Sequence, residues 1–144
     1  MKQEKSCGAA IFREDGNGRR FYLILTSTKG HITLCKGHVE KHETERQTAK
    51  REIMEETGLK VAFLDGFRQV VTYSPRHGHT KDVVFFLARA VGGRLACQPG
   101  EVADARFLPF DTAVERLTNP SDRDTLAAAE AFLEGALSHA NPAV

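Results

Sequence analysis

The chain of 144 residues carries 20 Lys or Arg against 19 Asp or Glu, a formal net charge of +1, with 41% hydrophobic and 27% charged residues. A chain of this size buries roughly 68–70% of its extended surface on folding, enough for one core without staples, and this composition excludes disordered, collagen-like and fibrous classes. Near-cancellation of charge argues against a whole-surface attraction to nucleic acid or to an anionic membrane, either of which asks for a strong positive excess or a concentrated basic run.

The N-terminal residues are polar, and the apolar stretch after them is too short for a secretory h-region or a membrane span. Cys7, Cys35 and Cys97 are odd in number, widely spaced and fit no metal-ligand or CxxC pattern, so a disulfide framework is not expected. Both features point to the cytoplasm. Residues 6–12 and 21–27 are β-prone runs flanking Asp15-Gly16-Asn17-Gly18, whose residues tolerate the positive φ of tight turns, and together they predict a hairpin. Residues 61–64, 67–73, 83–91 and 105–110 predict further strands, separated by the turn-like Ser74-Pro75-Arg76-His77-Gly78 and Gly92-Gly93. After Asn119-Pro120-Ser121-Asp122, the residues Leu126, Ala129, Leu133 and Leu137 recur at helical spacing, as in an amphipathic helix covering a sheet face. No linker or repeat divides the chain, which predicts a single domain over residues 1–144 with a tail fraying from about residue 140.

The other predicted helix, over about residues 44–57, ends in Gly58 as a left-handed cap and has an unusual composition. Between Glu43 and Thr57 only Ala49, Ile53 and Met54 are apolar. At about 100° per residue, Glu52, Glu55 and Glu56 fall within roughly a 100° arc, so three carboxylates leave one face. Like charges three or four apart oppose the helix, and Arg51 offsets this only in part by pairing with Glu55. Carboxylates clustered on a rigid element suit a hard cation such as Mg²⁺, which leaves its other octahedral positions to water and phosphate oxygens. A solvated salt-bridged face is the competing reading of the charges alone.

The run from Gly37 through Leu59 resembles the Nudix box, Gx5Ex7REUxEExGU with U aliphatic, and every specified position matches: Gly37, Glu43, Arg51, Glu52, Ile53, Glu55, Glu56, Gly58 and Leu59. With ordinary residue frequencies, a chance match is on the order of 10⁻⁹ per starting point. The resemblance implies an α/β fold, an α/β/α sandwich around a mixed β-sheet, and a loop-helix-loop that binds Mg²⁺ or Mn²⁺ and activates water against a phosphoanhydride. Carried over by position, it makes Glu52 a metal-proximal base or ligand and Glu55 and Glu56 metal ligands, with the Gly37 carbonyl as a further ligand. Arg51 orients the glutamates, and Glu43 holds the loop by hydrogen bonds rather than touching metal.

Outside the box, Lys36-Gly37-His38-Val39-Glu40, the opening Cys7-Gly8-Ala9-Ala10-Ile11-Phe12-Arg13, Gly66-Phe67-Arg68, Tyr73 and the run Lys81 to Leu87 resemble the asymmetrical diadenosine tetraphosphate hydrolases. That resemblance implies a nucleotide substrate cleaved to ATP and AMP, with Lys36 and Lys81 on phosphate oxygens. Phe85 would stack on adenine, and Tyr73 is a second nucleotide contact. It also implies that Glu101, in Pro99-Gly100-Glu101-Val102, is a further ligand or base, against a plain surface-loop reading. Phe132 is a candidate for the pocket wall, against core packing as the competing reading.

The chain departs from that family in having Ile32-Thr33-Leu34-Cys35 where a Trp and two prolines are common, Lys41-His42-Glu43 where Pro-Gly-Glu is usual, and Phe85 for the usual Tyr. Alternatives to diadenosine tetraphosphate are therefore mononucleoside triphosphates, diphosphoinositol polyphosphates and RNA 5′ ends; a non-catalytic nucleotide-binding module is the rival from another class. No membrane or nucleic-acid partner is expected, and the oligomeric state is open with a monomer favoured. Cys35 reads as a small buried residue before a reactive thiol. His31, His38 and His42 read as loop residues rather than zinc ligands.

Overall fold

Residues 83–88, Val-Val-Phe-Phe-Leu-Ala, are apolar without alternation, as a strand covered on both faces requires. In the computed structural model, which describes residues 2–74 and 77–140, they form the middle of β7 (His79–Gly93). This strand runs parallel to β1 (Lys2–Glu14) over a register from Lys2 opposite His79 to Phe12 opposite Arg89. Every other pairing is antiparallel: β2 (Arg20–Ser27), β3 (Ile32–Thr33), β4 (Cys35–His38), β5 (Leu59–Phe63), β6 (Gln69–Tyr73) and β8 (Val102–Pro109) complete a mixed eight-stranded sheet. The path β3-β2-β1-β7-β5 carries β4 on β1, β6 on β7 and β8 on β2.

The two faces bury different sets. Cys7, Ala9 and Ile11 of β1, with Val84, Phe86 and Ala88 of β7, pack under α1 (Glu45–Thr57) through Ala49 and Ile53. Ala10 and Phe12, with Val83, Phe85 and Leu87, pack under α2 (Phe110–Arg116) and α3 (Pro120–Ala140) through Ala113, Leu117, Leu126, Ala129 and Leu133. Alternating β1 residues therefore serve opposite cores, and the fold is the expected α/β/α sandwich.

Helix α1 begins at Thr44, which accepts the Gln47 amide while the Gln47 side chain accepts the Thr44 amide, a reciprocal capping box. It ends at Gly58 with φ 75°, and a Cβ there would run into the Arg94 carbonyl. Its first turn is pinned by Glu45, which receives two 2.9 Å bonds from Arg68 and pairs with Lys5 of β1. The predicted hairpin forms: Asp15 caps it by accepting the amides of Asn17 and Arg19, both at 2.9 Å.

Four expectations change. Gly92-Gly93 is strand rather than turn: Gly93 faces Leu59, and a Cβ on Gly93 would collide with the Gly58 carbonyl, so glycine here permits close strand approach. Phe110, expected at a strand end, instead opens α2, a short helix the sequence pattern did not reveal. The predicted strand from residue 67 begins at Gln69, because Phe67 turns into the core and meets the edge of Phe132 at 5.7 Å. The strand of residues 6–12 is longer, drawn out over 13 residues by pairing along β7. Pro75, Arg76 and the expected fraying tail beyond residue 140 lie outside the described residues. Among those described, no helix is long and apolar enough to cross a membrane.

Leu126 is fully buried between α3 and the sheet. Leu126→Ala is expected to lower the unfolding free energy by about 2–5 kcal/mol, measured by urea titration.

Candidate active site

Arg51 is the hub of the acidic helix. Its Nε donates to Glu43 Oε2 at 2.7 Å and Nη2 to Glu43 Oε1 at 3.0 Å, while Nη1 reaches Glu52 at 2.8 Å and Glu55 at 3.2 Å. Its remaining donor, on Nη2, goes to the His38 carbonyl at 3.0 Å, which fixes α1 to the end of β4. Glu43 also accepts from the Glu40 amide and the Thr48 hydroxyl, both at 2.9 Å. With four donors on one carboxylate, led by Arg51, the Glu43 acid is held down at about 2. Glu43 therefore ties the box loop, residues 38–44, to the helix.

Gly37 lies against Glu52 so closely that a Cβ on it would overlap the carboxylate. A similar constraint sets Gly8: its Cβ would meet the Cys35 carbonyl, and Lys36 Cα at 2.7 Å, so β1 and β4 approach to this distance only with glycine opposite Lys36. Glu56 is half-buried beside Glu52 and receives the Cys35 thiol at 3.6 Å; loss of solvent first, then Glu52, pushes its acid up to about 8. Cys35 is fully buried, and its thiol is raised by that burial and by Glu56, so it stays protonated as a packing residue.

These groups open onto two adjoining cavities. One, of about 660 Å³, is lined by Gly37, Glu52, Glu55, Glu56 and Glu101, together with His31 and Gln98. The other, of about 380 Å³, has Val71, Tyr73, Val83, Phe85, Pro120 and Asp122 in its wall. Lys36 and Asn119 line both, so a cationic side chain stands at the junction of an acidic cavity and an apolar one. Glu101 reaches its place because the Thr28 amide bonds its carbonyl at 3.2 Å, docking the loop before β8 onto the end of β2.

Lys81 lies opposite Tyr73 in the register and two residues before Val83, on the same sheet face as the apolar cavity. Burial is the main cause that lowers its pKa, and the nearby Lys36 adds to it, so two ammonium groups share this region. Tyr73 offers an open ring, 40% exposed, whereas Phe85 is 1% exposed and contributes to the cavity only as part of its floor, since core neighbours cover it. Phe132 is not brought to either cavity: it packs on Phe67 and lies against Gly66. Asn119, Asp122, Gln98 and His31 line the cavities without having been singled out as site residues. Asn119 and Asp122 read in sequence only as helix-start signals, and no local pattern marks the contact of α3 with the Lys36 strand.

A Nudix domain is matched over residues 4–129. The chain belongs to the Nudix family. It is 31% identical over 140 residues to the asymmetrical bis(5′-nucleosyl)-tetraphosphatase of Rattus norvegicus, covering 90% of this chain and 95% of that protein. The Caenorhabditis elegans Ap4A hydrolase binary complex superposes with a TM-score of 0.82 at 25% identity, over 92% of this chain and 98% of that one. A Mycobacterium tuberculosis protein described as the mutator protein MutT4 is 29% identical over 134 residues, 92% of this chain, which spans half of its length. This Nudix chain is thus an enzyme of the hydrolase type.

Because the folded pKa of Glu43 lies below its ordinary value, its bonds to Arg51 stabilise the fold fully above about pH 4.5 and are lost as pH falls toward 2. Glu43→Gln is expected to melt lower than wild type near neutrality, with the gap closing between pH 4.5 and 2 in a series of thermal melts.

Proposed function

We propose that this Nudix enzyme is an asymmetrical diadenosine tetraphosphate hydrolase of the cytoplasm, cleaving its substrate to ATP and AMP with Mg²⁺ or Mn²⁺. The observation that carries this is the junction of the two cavities at Lys36: carboxylates on one side, an apolar pocket with an open tyrosine ring on the other, and a cation where the polyphosphate would cross. The rat relative's name, the 25%-identical worm structure and the sequence resemblance support the same substrate.

Donor chemistry supports a hard cation: Glu52, Glu55, Glu56, Glu101 and the Gly37 carbonyl are all oxygen donors, and the glycine leaves the space a Cβ would fill beside Glu52. As the side chains stand, no three acidic, histidine or cysteine groups among the described residues converge on a single point. Arg51 holds the Glu52 and Glu55 oxygens, and the Glu56 acid lies beside Glu52. Metal binding would draw these carboxylates inward. Once bound, the cation lowers the pKa of its water and neutralises charge on the transferred phosphoryl group.

The chain's own groups do the remainder. Glu52 accepts the proton of the attacking water, and Arg51 fixes the angle of the Glu52 and Glu55 carboxylates. Lys36 and Lys81 neutralise the polyphosphate as it passes from the acidic cavity into the apolar one. Tyr73 covers the base from the open side, over the floor that includes Phe85.

Incubating purified protein with diadenosine tetraphosphate, nucleoside triphosphates, diphosphoinositol polyphosphates and 5′-triphosphorylated RNA, each with Mg²⁺ or Mn²⁺, is expected to give fastest turnover of the first, with ATP and AMP on chromatography. Faster turnover of another member would reassign the substrate. Glu52→Gln is expected to lower kcat by roughly 10²–10⁴-fold with an unchanged circular dichroism spectrum; unaltered nucleotide handling would indicate a binding module. Gly37→Ala, which drives a methyl into the Glu52 carboxylate, is expected to weaken Mn²⁺ binding by roughly tenfold or more, read by electron paramagnetic resonance.

A further inference from the structure

The apolar cavity has one charged group in its wall that the proposed hydrolysis does not use. Asp122 lies in the first turn of α3, is 2% exposed, and lines the cavity together with Val71, Tyr73 and Phe85. Oδ2 of its carboxylate has no hydrogen-bond partner among the described residues. A buried carboxylate oxygen without a donor is a standing cost, removed only when a donor enters the cavity.

The surroundings narrow what that donor is. Phosphate carries the same sign of charge as Asp122 and belongs beside Lys36, at the mouth shared with the acidic cavity. Val71, Val83, Phe85 and Pro120 give the cavity apolar walls suited to a flat ring, while Thr72, Asn119 and Ser121 put polar groups beside them. On a nucleotide, the group that is flat, fits such walls and carries N–H donors at its rim is the purine base.

We propose that Asp122 reads the nucleobase, its Oδ2 accepting a hydrogen bond from an amino group of the purine seated in this cavity. The inference rests on the reading that the apolar cavity holds the nucleoside. Asp122 is then a specificity-determining residue: nucleotides that lack the amino group leave Oδ2 as bare as it stands without ligand, so they bind more weakly. A base amino group can be the 6-amino of adenine or the 2-amino of guanine, and matched pairs separate the two.

The test titrates AMP against purine riboside 5′-monophosphate, which differ in the 6-amino group, and GMP against IMP, which differ in the 2-amino group. Wild type, Asp122→Ala and Asp122→Asn are compared by calorimetry after thermal melts have checked their folding. Wild type is expected to bind the amino member of one pair roughly tenfold to a hundredfold more tightly. Asp122→Ala brings that ratio close to one. Asp122→Asn replaces a carboxylate oxygen with an N–H₂ donor at nearly the same size and shape; the ratio falls to one or inverts. This variant keeps the size and shape of the buried side chain, so it remains informative if the alanine does not fold. Equal affinities within both pairs in wild type, or a preference that survives both substitutions, would overturn the assignment. Diadenosine tetraphosphate turnover by wild type is measured in parallel. Hydrolysis with no amino preference would sink the base reading alone, whereas neither binding nor turnover of any nucleotide would sink both readings.

Discussion

A guanidinium with its donors committed to three carboxylates and a carbonyl is the constraint around which the site is arranged. Arg51 takes Glu43 from the loop, Glu52 and Glu55 from its own helix and the His38 carbonyl from β4, so loop, helix and strand meet at one side chain. Without it, three glutamates within one helical arc would repel one another and the loop would have no anchor. The bonds run both ways: the carboxylates hold the guanidinium charged, Glu43 foremost, and the guanidinium holds Glu43 ionised. The site is thus strongly charged yet organised by internal pairing, which is how a chain with a net charge of +1 contains so polar a centre.

Two glycines set the second constraint, that of distance. Gly8 lets β1 and β4 come close enough to hold Lys36 at the cavity junction, and Gly37 lets the Glu52 carboxylate lie against the strand. Neither has a positive φ, so neither is required for a turn. Both are needed because another main chain or a carboxylate already occupies the place of a side chain. The cation-bearing strand and the acid-bearing helix are brought together by what these residues lack.

Much of this was legible in the sequence. The helix over residues 44–57 and its Gly58 cap are local properties, set by Thr44, Gln47 and a φ that glycine tolerates. The part of Glu43 as a loop tie followed from its place in the box and is matched by its four hydrogen bonds. Glu101 is a candidate by the resemblance alone, and the structure places it in the lining of the acidic cavity. Other features were not legible. Gly92-Gly93 has turn composition but sits in a long strand, because β5 and the Gly58 carbonyl press against it. Nor does the sequence show how little of Phe85, the ring that the resemblance puts on adenine, is open: it lines the cavity, but the central strand that carries it is covered on both sides.

The sequence by itself determined the box helix, its caps and the carboxylates along one of its faces, because these depend on residues no more than about fifteen positions apart. Tertiary structure alone decided which side chains share a cavity. Lys36, Tyr73, Asn119 and Asp122 lie on β4, β6 and the start of α3, and they meet because β1 and β7 pair in parallel while α3 returns across the sheet. Spacing along the chain carries no trace of that meeting, since it is created by strand register and by packing between residues more than eighty positions apart. Asp122 is the plainest instance: in sequence it belongs to a helix start, and in the fold it lines the cavity that Lys36 joins to the carboxylates.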